Sequence, residues 1–578
     1  METLVDFAAP DGAAGALRAA FGKPRCVLAA HSVAEVRPLL DAVEQHAQAG
    51  RWCVGYVRYE AAPAFDAALQ VHAADGPLAW FGVHDAPLPW PQEQLPAATL
   101  AGLQPPDRAA FNAALAQIHA AIAAGEVYQV NHTARLEGKL ESGSAQALFH
   151  ALQRAQPGGY AAYIDADSEQ VLSVSPELFF DWTQSRLLTR PMKGTAPRGS
   201  TPQEDAARAQ ALQTSAKERA ENVMVVDMLR NDVSRVALPH SVRVPRLFHL
   251  EALPSVWQMT SDVTATTRPG TTLADVFAAL FPCGSVTGAP KVRAMQLIHA
   301  LEGGPRGVYC GAVGVVRPGG DATFNVAIRT VTLQGGQVAC GIGSGITADA
   351  LSHAEWREWR HKRAFLERAS APYALLETLA LVDGVCRDAP LHLARMASAA
   401  AHFGYPWNDG IALQAVHDVQ HSHPSGHWRV RLLLQPDGSA QAQAHALPAT
   451  LEPVRLQLAG QAFEMADSEF TRFKTTRRAH YDAVAPTDTT IFDTLLWNDK
   501  REITECTRGN IALLLDGQWV TPPLHCGLLP GVGRAKALAA GRLQEKVVML
   551  DDLPRVAALA FVNSLRGWLP ATLVRTAA

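Results

Sequence analysis

The strand and helix pattern of this chain starts twice. Runs of β-branched strand alternate with helical runs up to Ser370-Ala371-Pro372, and there the pattern restarts. By a length prior, 578 residues make about three to four domains, or two large enzyme units. The restart favours two units, residues 1–370 and 373–578. In the first, 52–59, 78–83, 308–317 and 322–333 read as strands, and 107–125, 215–229 and 352–370 as helices. The Ala/Pro-rich stretch 86–106 reads as a loop or linker, which leaves a core at about 107–370. Mixed strand and helix runs predict a layered α+β or α/β fold.

Composition excludes several classes. Apolar residues at 48% and charged residues at 18% are ordinary globular values. A net charge of −4 leaves no basic footprint for nucleic acid. No apolar run approaches about 20 residues, so no membrane span is expected. The start, METLVDFAAPDGAAG, lacks the charged and apolar regions of a secretion signal. Eight cysteines without a C-x-x-C pair read as reduced thiols. A cytoplasmic enzyme is the expectation.

Three constellations carry candidate chemistry. Lys193, in PMKGTAPR (191–198), stands on a turn rather than on a solvated helix face. Paired with Glu177 of SPELFF (175–180), it could act as nucleophile with a carboxylic acid as proton donor. Ser215 with Glu218, and Ser352 with Glu355, have capping-box spacing. Glu218 and Glu221 then share one helix face, as do Glu355, Glu358 and Lys362. Either these are two solvated helices, or four carboxylates hold a hard cation. GSVTGAPK (284–291) and GIGSGI (341–346) match neither a Walker loop nor a dinucleotide fingerprint. They are either tight turns or backbone nests for a carboxylate.

YQVNHTAR (128–135), SPELFF, PMKGTAPR, AENVMVVDMLRND (220–232), FPCGSVTGAPKVRAM (281–295), AIRT (327–330) and GIGSGI come in one order. Together they resemble the chorismate-utilising enzyme family. Its fold has layered antiparallel sheets with flanking helices. Lysine in P-x-K-G-T is similar to the aminodeoxychorismate-forming members, whereas anthranilate synthases usually carry a small residue there. The resemblance implies chorismate as substrate and Mg²⁺ on Glu221 and Glu358, with Glu218 and Glu355 close by. Arg329 would bind a substrate carboxylate. Tyr309, Thr287, Gly288, Gly343, Ser344, Gly345 and Lys362 would line the pocket. Gln129 stands where water-adding relatives have a lysine base, which points to ammonia as nucleophile. Gln258 replaces the histidine of anthranilate synthases, which argues against pyruvate loss in this site. No cysteine sits in a G-x-C-x-G turn, so a glutamine amidotransferase subunit or free ammonium supplies the nitrogen.

Beyond the seam, LLETLALVDG (375–384), LHLARMASAAAHFG (391–404), FKTTRRAHYD (473–482), ITECTRGN (503–510) and CGLLPGVGR (526–534) resemble the fold-type IV pyridoxal 5'-phosphate (PLP) enzymes. Among them the fit is best to aminodeoxychorismate lyases. The resemblance implies Lys474 as the cofactor lysine and Glu505 as partner of the pyridinium nitrogen. Arg395, Val532 and Gly533 would sit on the phosphate, and Thr378 would assist proton transfer. It also implies a homodimer through this half. Two departures stand out: Gly533 replaces a common threonine, and the stretch that relatives carry before LLETL is missing. The combined expectation is p-aminobenzoate synthesis for the folate pathway by both halves. The alternatives are a synthase with a non-catalytic C-terminal module, or an anthranilate synthase-like enzyme. His417, His421, His423 and His427 form a cluster that is either a metal site or a polar loop.

Overall fold

The computed structural model describes residues 2–10, 16–91, 95–104, 106–199, 202–252 and 256–574. They form two compact units, Met1–Ala371 and Pro372–Ala578.

The first unit is built on a nine-stranded and a ten-stranded sheet, and every strand pairing described in them is antiparallel. Side-chain alternation explains their long apolar runs. In Trp52–Val57, Val54 and Tyr56 join a core that also holds Phe7, Ile164 and Leu188 of both sheets. Cys53 and Val57 point the other way, toward the helices Val33–Gln48 and Leu273–Leu280. A third core lies under the helices Arg108–Ala123, Ala145–Ala155 and Ser352–Ala369. A strand buried on both faces must be apolar at every position.

The stretch 86–106 is not a linker. Thr99–Ala101 within it is a strand on Gln129–Ser142. Strands of residues 1–100 join both sheets, so that region shares the cores of the rest. Residues 92–94 and 105 lie outside the described residues.

Two crossovers between the sheets prepare the site. Gln170–Ser175 belongs to the nine-stranded sheet and Leu178–Thr183 to the ten-stranded one. Pro176 and Glu177 join them. The expected strand 322–333 is likewise broken, into Ala322–Val326 in one sheet and Thr330–Gln334 in the other. Arg329 lies in that break with φ +50°, a backbone state no strand can contain. The crossovers touch: the Val326 N–H donates to the Glu177 carbonyl at 3.0 Å. The Ser175 hydroxyl donates to the Val326 carbonyl at 2.5 Å.

In the second unit, the helices Ala389–Phe403 and Asp409–Ser422 bury one side against a four-stranded antiparallel sheet. Its strand Leu375–Val382 is flanked by His427–Leu434 and Val385–Cys386. Residues 371–374 supply no strand to replace the stretch that relatives carry before LLETL. An eight-stranded mixed sheet follows.

Candidate active sites

Glu177 is 4% exposed, and its Oε1 has no hydrogen-bond partner among the described residues. Burial pushes its carboxyl up to about 7, against the pull of the Ser285 hydroxyl and the Lys193 ammonium. Lys193 lies on the strand Met192–Pro197. Gln258 holds the backbone just after it. Its amide donates to the Gly194 carbonyl at 2.9 Å and accepts from the Thr195 hydroxyl at 3.0 Å.

GIGSGI is neither a turn nor a nest. It lies inside the strand Gln337–Ile346, paired with Gln129–Ser142. Ile342 and Ile346 fill the core under the helices, while Gly341, Gly343 and Gly345 leave the other face open. A Cβ on Gly341 would fall 2.0 Å from the Tyr309 ring. One on Gly345 would fall 2.8 Å from Gln129 Nε2 and 3.1 Å from Lys193 Nζ. Gln129 and Lys193 therefore meet over Gly345. Both polar atoms of the buried Gln129 amide lack partners among the described residues. Such a group signals a ligand that completes it. Arg329 makes no ion pair among the described residues, and burial together with Arg368 pushes it down to about 10.

Two residues assigned to the substrate point elsewhere. Ser344 alternates with Gly343 and Gly345, so its hydroxyl faces the helix Ser352–Ala369, donating to Glu355 at 2.6 Å. Thr287 donates to the carbonyls of Cys283 and Gly284, at 3.2 and 3.3 Å, and so closes its own turn. Gly288 is needed for close approach, since a Cβ there would lie 2.2 Å from the Gln129 carbonyl. Lys362 reaches in, donating to the Gly343 carbonyl at 2.8 Å.

The glutamate helices also differ from expectation. Ser215 caps its helix through the Glu218 N–H, but Glu218 does not close the box. Ser352 donates its hydroxyl to Asn112 instead. Glu218, Glu221 and Glu358 lie near enough to Lys193 to feel its charge, while Glu355 accepts from Ser344. Burial raises Glu218, Glu221 and Glu355, and carboxylates of the same group add to it. They do not form a ready cage: among the described residues, no three His, Cys, Asp or Glu groups could hold a metal ion. Glu358 is paired with Lys362 at 2.7 Å and Glu355 is bonded to Ser344.

In the second unit, burial, Arg395 and Arg478 lower the Lys474 amine to about 8. Glu505 is buried and pushed up to about 8 by that burial. It accepts from the Tyr481 hydroxyl at 2.6 Å and the Leu529 N–H at 3.1 Å, and makes no ion pair among the described residues. A buried carboxylate held by neutral donors fits a cationic pyridinium. Arg395 grips both oxygens of Glu377, at 2.8 and 2.6 Å, and donates to the Pro530 carbonyl at 3.0 Å. This puts its guanidinium beside the start of the helix Val532–Ala539, where first-turn N–H groups are free for an anion. Gly533 has a steric cause: a Cβ there would lie 2.6 Å from the Asn563 carbonyl carbon and 3.0 Å from the Ser564 nitrogen. Thr378 is half-buried and makes no side-chain hydrogen bond among the described residues.

The histidines do not gather into a metal site. His421 Nδ1 bonds the His417 carbonyl, and His423 stacks edge-on against Trp428 at 4.7 Å. All eight cysteines are free, and no helix among the described residues is long and apolar enough to cross a membrane.

Residues 91–368 match the family model described as chorismate binding enzyme, and residues 374–574 the one described as amino-transferase class IV. The two matches fall one in each of the two units. Over 290 residues it is 39% identical to aminodeoxychorismate synthase component 1 of Salmonella typhimurium, covering 50% of this chain and 63% of that protein. Over 248 residues it is 39% identical to anthranilate synthase component 1 of Aquifex aeolicus, covering 43% of this chain and 50% of that protein. The chain thus spans 63% and 50% of the length of these two relatives. Anthranilate synthase component I from Streptococcus pneumoniae shares the fold, with a TM-score of 0.54 at 22% identity over 63% of this chain and 92% of that one. Identity reaches 44% to an aminodeoxychorismate synthase component 1 of Klebsiella aerogenes, so the two kinds of synthase differ by a small margin and the reaction is decided at single residues of the first unit.

Several groups of the class IV unit had no sequence signal of their own. Tyr481 and Asn510 address Glu505, and Glu377 and His392 stand behind Arg395. Only Glu377 was detectable, as a lone charge in the apolar run of its strand.

Proposed function

We propose that the first unit converts chorismate and ammonia to 4-amino-4-deoxychorismate, and that the second removes pyruvate from it to give p-aminobenzoate, a folate precursor. The meeting of Lys193 and Gln129 over Gly345, beside the raised carboxyl of Glu177, carries this reading.

Arg329, a cation without an acidic partner, holds a chorismate carboxylate. Lys193 Nζ attacks C2, the ring double bonds shift, and the C4 hydroxyl leaves as water with the Glu177 proton. Glu177 is protonated below about 7, so it can serve as that acid near neutral pH. Ammonia then attacks C4, the double bonds shift back, and Lys193 departs. Gln129 cannot deprotonate water, so water gains no base at this position. The enolpyruvyl group stays in place, in keeping with Gln258 being held in the Gly194 turn. Glu221 and Glu358 would hold Mg²⁺, with Glu218 and Glu355 near it. The ion would neutralise a substrate carboxylate and relieve the repulsion that, with burial, raises Glu218, Glu221 and Glu355, whereas Glu358 is lowered by Lys362 against its burial. The relatives named component 1 suggest a second component, and a glutamine amidotransferase is the partner that would supply ammonia.

In the second unit, bound PLP would supply an electron sink for pyruvate elimination. Lys474, neutral above about 8, would carry it and move the proton. Glu505 would hold the pyridinium nitrogen, and Arg395 with the N–H groups of Val532 and Gly533 the phosphate. We place both activities in the cytoplasm and expect the second unit to pair as a homodimer.

One reaction tests the reading. The purified chain receives chorismate, ammonium, Mg²⁺ and PLP, and the products are separated by chromatography. p-Aminobenzoate with pyruvate is the expected result. Accumulated aminodeoxychorismate would leave the second unit without its assigned activity, and anthranilate would overturn the assignment of the first.

A further inference from the structure

Arg306 lies outside the motifs read above, yet it is 9% exposed and its fork is almost fully used. Nη1 donates to the Val286 carbonyl at 2.8 Å. Nη2 donates to the Asn131 carbonyl at 2.8 Å and to Glu302 at 2.7 Å. Nε donates to the other Glu302 oxygen at 2.8 Å. The guanidinium also lies 4.7 Å from the Tyr59 ring centre. Glu302 in turn accepts from the Thr133 N–H and hydroxyl, both at 2.9 Å. The backbone N–H groups of Arg306 and Gly307 both donate to buried Glu60, at 2.7 and 3.0 Å.

The segments tied in this way carry the pocket. Asn131 and Thr133 continue the strand that begins at Gln129. Val286 precedes Thr287 in the turn that ends at Gly288. Three residues past Arg306 comes Tyr309, whose ring covers Gly341. The strand of Gln129 and the turn of Thr287 are also bonded directly, the Asn131 N–H donating to the Thr287 carbonyl at 2.7 Å, and Arg306 adds charge-assisted bonds, the stronger kind.

We infer that the Arg306–Glu302 pair is a positioning device for the synthase reaction, setting the strand of Gln129, the turn of Thr287 and the loop of Tyr309 relative to one another. It rests on the reaction proposed above. Arg306 touches no reacting atom in this scheme, and acts through those three segments. A misplacement of about 1 Å at a reacting centre can cost on the order of a hundredfold in rate.

Two variants test it. Arg306→Lys keeps a charge beside Glu302 but has no fork to reach Val286 and Asn131 together. Glu302→Gln with Arg306→Met removes both charges, so no buried charge is left unpaired and the fold is kept. Both are assayed as the full chain for Tm, for kcat and KM with chorismate, and for PLP-dependent turnover of added aminodeoxychorismate. The expected result is a KM for chorismate raised about tenfold or more, with a loss in kcat/KM on the order of a hundredfold. Tm of the double variant stays near wild type and the second unit is unaffected. A purely structural role would instead lower the active fraction, and so kcat, at constant KM. Wild-type kinetics in a double variant of wild-type Tm would overturn the inference. Absence of both aminodeoxychorismate and p-aminobenzoate from the wild type, run alongside, would overturn the proposed reaction instead.

Discussion

The Gln258 amide holds the carbonyl of Gly194 at 2.9 Å, one residue beyond Lys193. With its second bond to Thr195 it braces the strand just past Lys193, the proposed nucleophile. Gln258→Leu removes both bonds and leaves the half-buried Gly194 carbonyl without its side-chain partner, at a cost of about 1–3 kcal/mol. Ammonium-dependent chorismate consumption should fall roughly ten- to a hundredfold. An unchanged rate would show that the strand is held without it.

The acid role proposed for Glu177 fixes a pH dependence. Its carboxyl is raised to about 7, so the protonated, competent form prevails below that and is lost above it. The rate of the chorismate step should fall roughly tenfold per pH unit above about 7. Glu177→Gln should lose on the order of 10²–10⁴-fold and leave that limb flat. The check is a pH series of single-turnover rates for both proteins.

Acid stability should be concentrated at Glu377. Burial would raise this carboxyl, but Arg395 and His392 override it and hold it at about 2. A depressed folded-state pKa contributes stability that is fully present above the ordinary 4.5 and is lost as pH falls toward 2. The contribution is about 3 kcal/mol for this almost fully buried group. Denaturant unfolding of wild type and Glu377→Gln between pH 6 and about 3 should give curves that converge on acidification. Parallel curves would remove Glu377 from the account.

Gly533→Thr would restore the residue common in relatives, yet it should weaken the cofactor site. The new Cβ meets the backbone of Asn563 and Ser564, not a flexible side chain. Overpacking of this kind costs about 1–3 kcal/mol, and the helix start must shift. PLP titration followed by absorbance should give a Kd raised roughly tenfold. Tighter binding would mean that the loop of Asn563 yields freely.

How much was legible in the sequence differs by residue. Lys193, Glu177, Gln129 and Arg329 sit in short local motifs, and the structure puts Lys193 and Gln129 on one glycine and couples Lys193 to Glu177. The glycines of GIGSGI read as a turn because local pattern cannot show strand pairing. Their alternation with Ile342 and Ile346 was the period-2 signal that tertiary pairing used. The box at Ser352 failed for a similar reason, since Asn112 and Ser344 take the groups that would close it, whereas Ser215 makes its half of the box. Arg306 was invisible because its contacts are carbonyls of distant segments, which leave no mark on the residues around it.

Glu177 and Arg329 both stand where the chain leaves one sheet for the other, and the two crossings are bonded together at Val326. The residues proposed as proton donor and carboxylate clamp therefore share one mechanical joint. A molecule that engages both residues acts as a rivet through the sandwich. Amide hydrogens at Glu177 and Val326 should then slow their exchange together when substrate is bound, although they lie far apart along the chain.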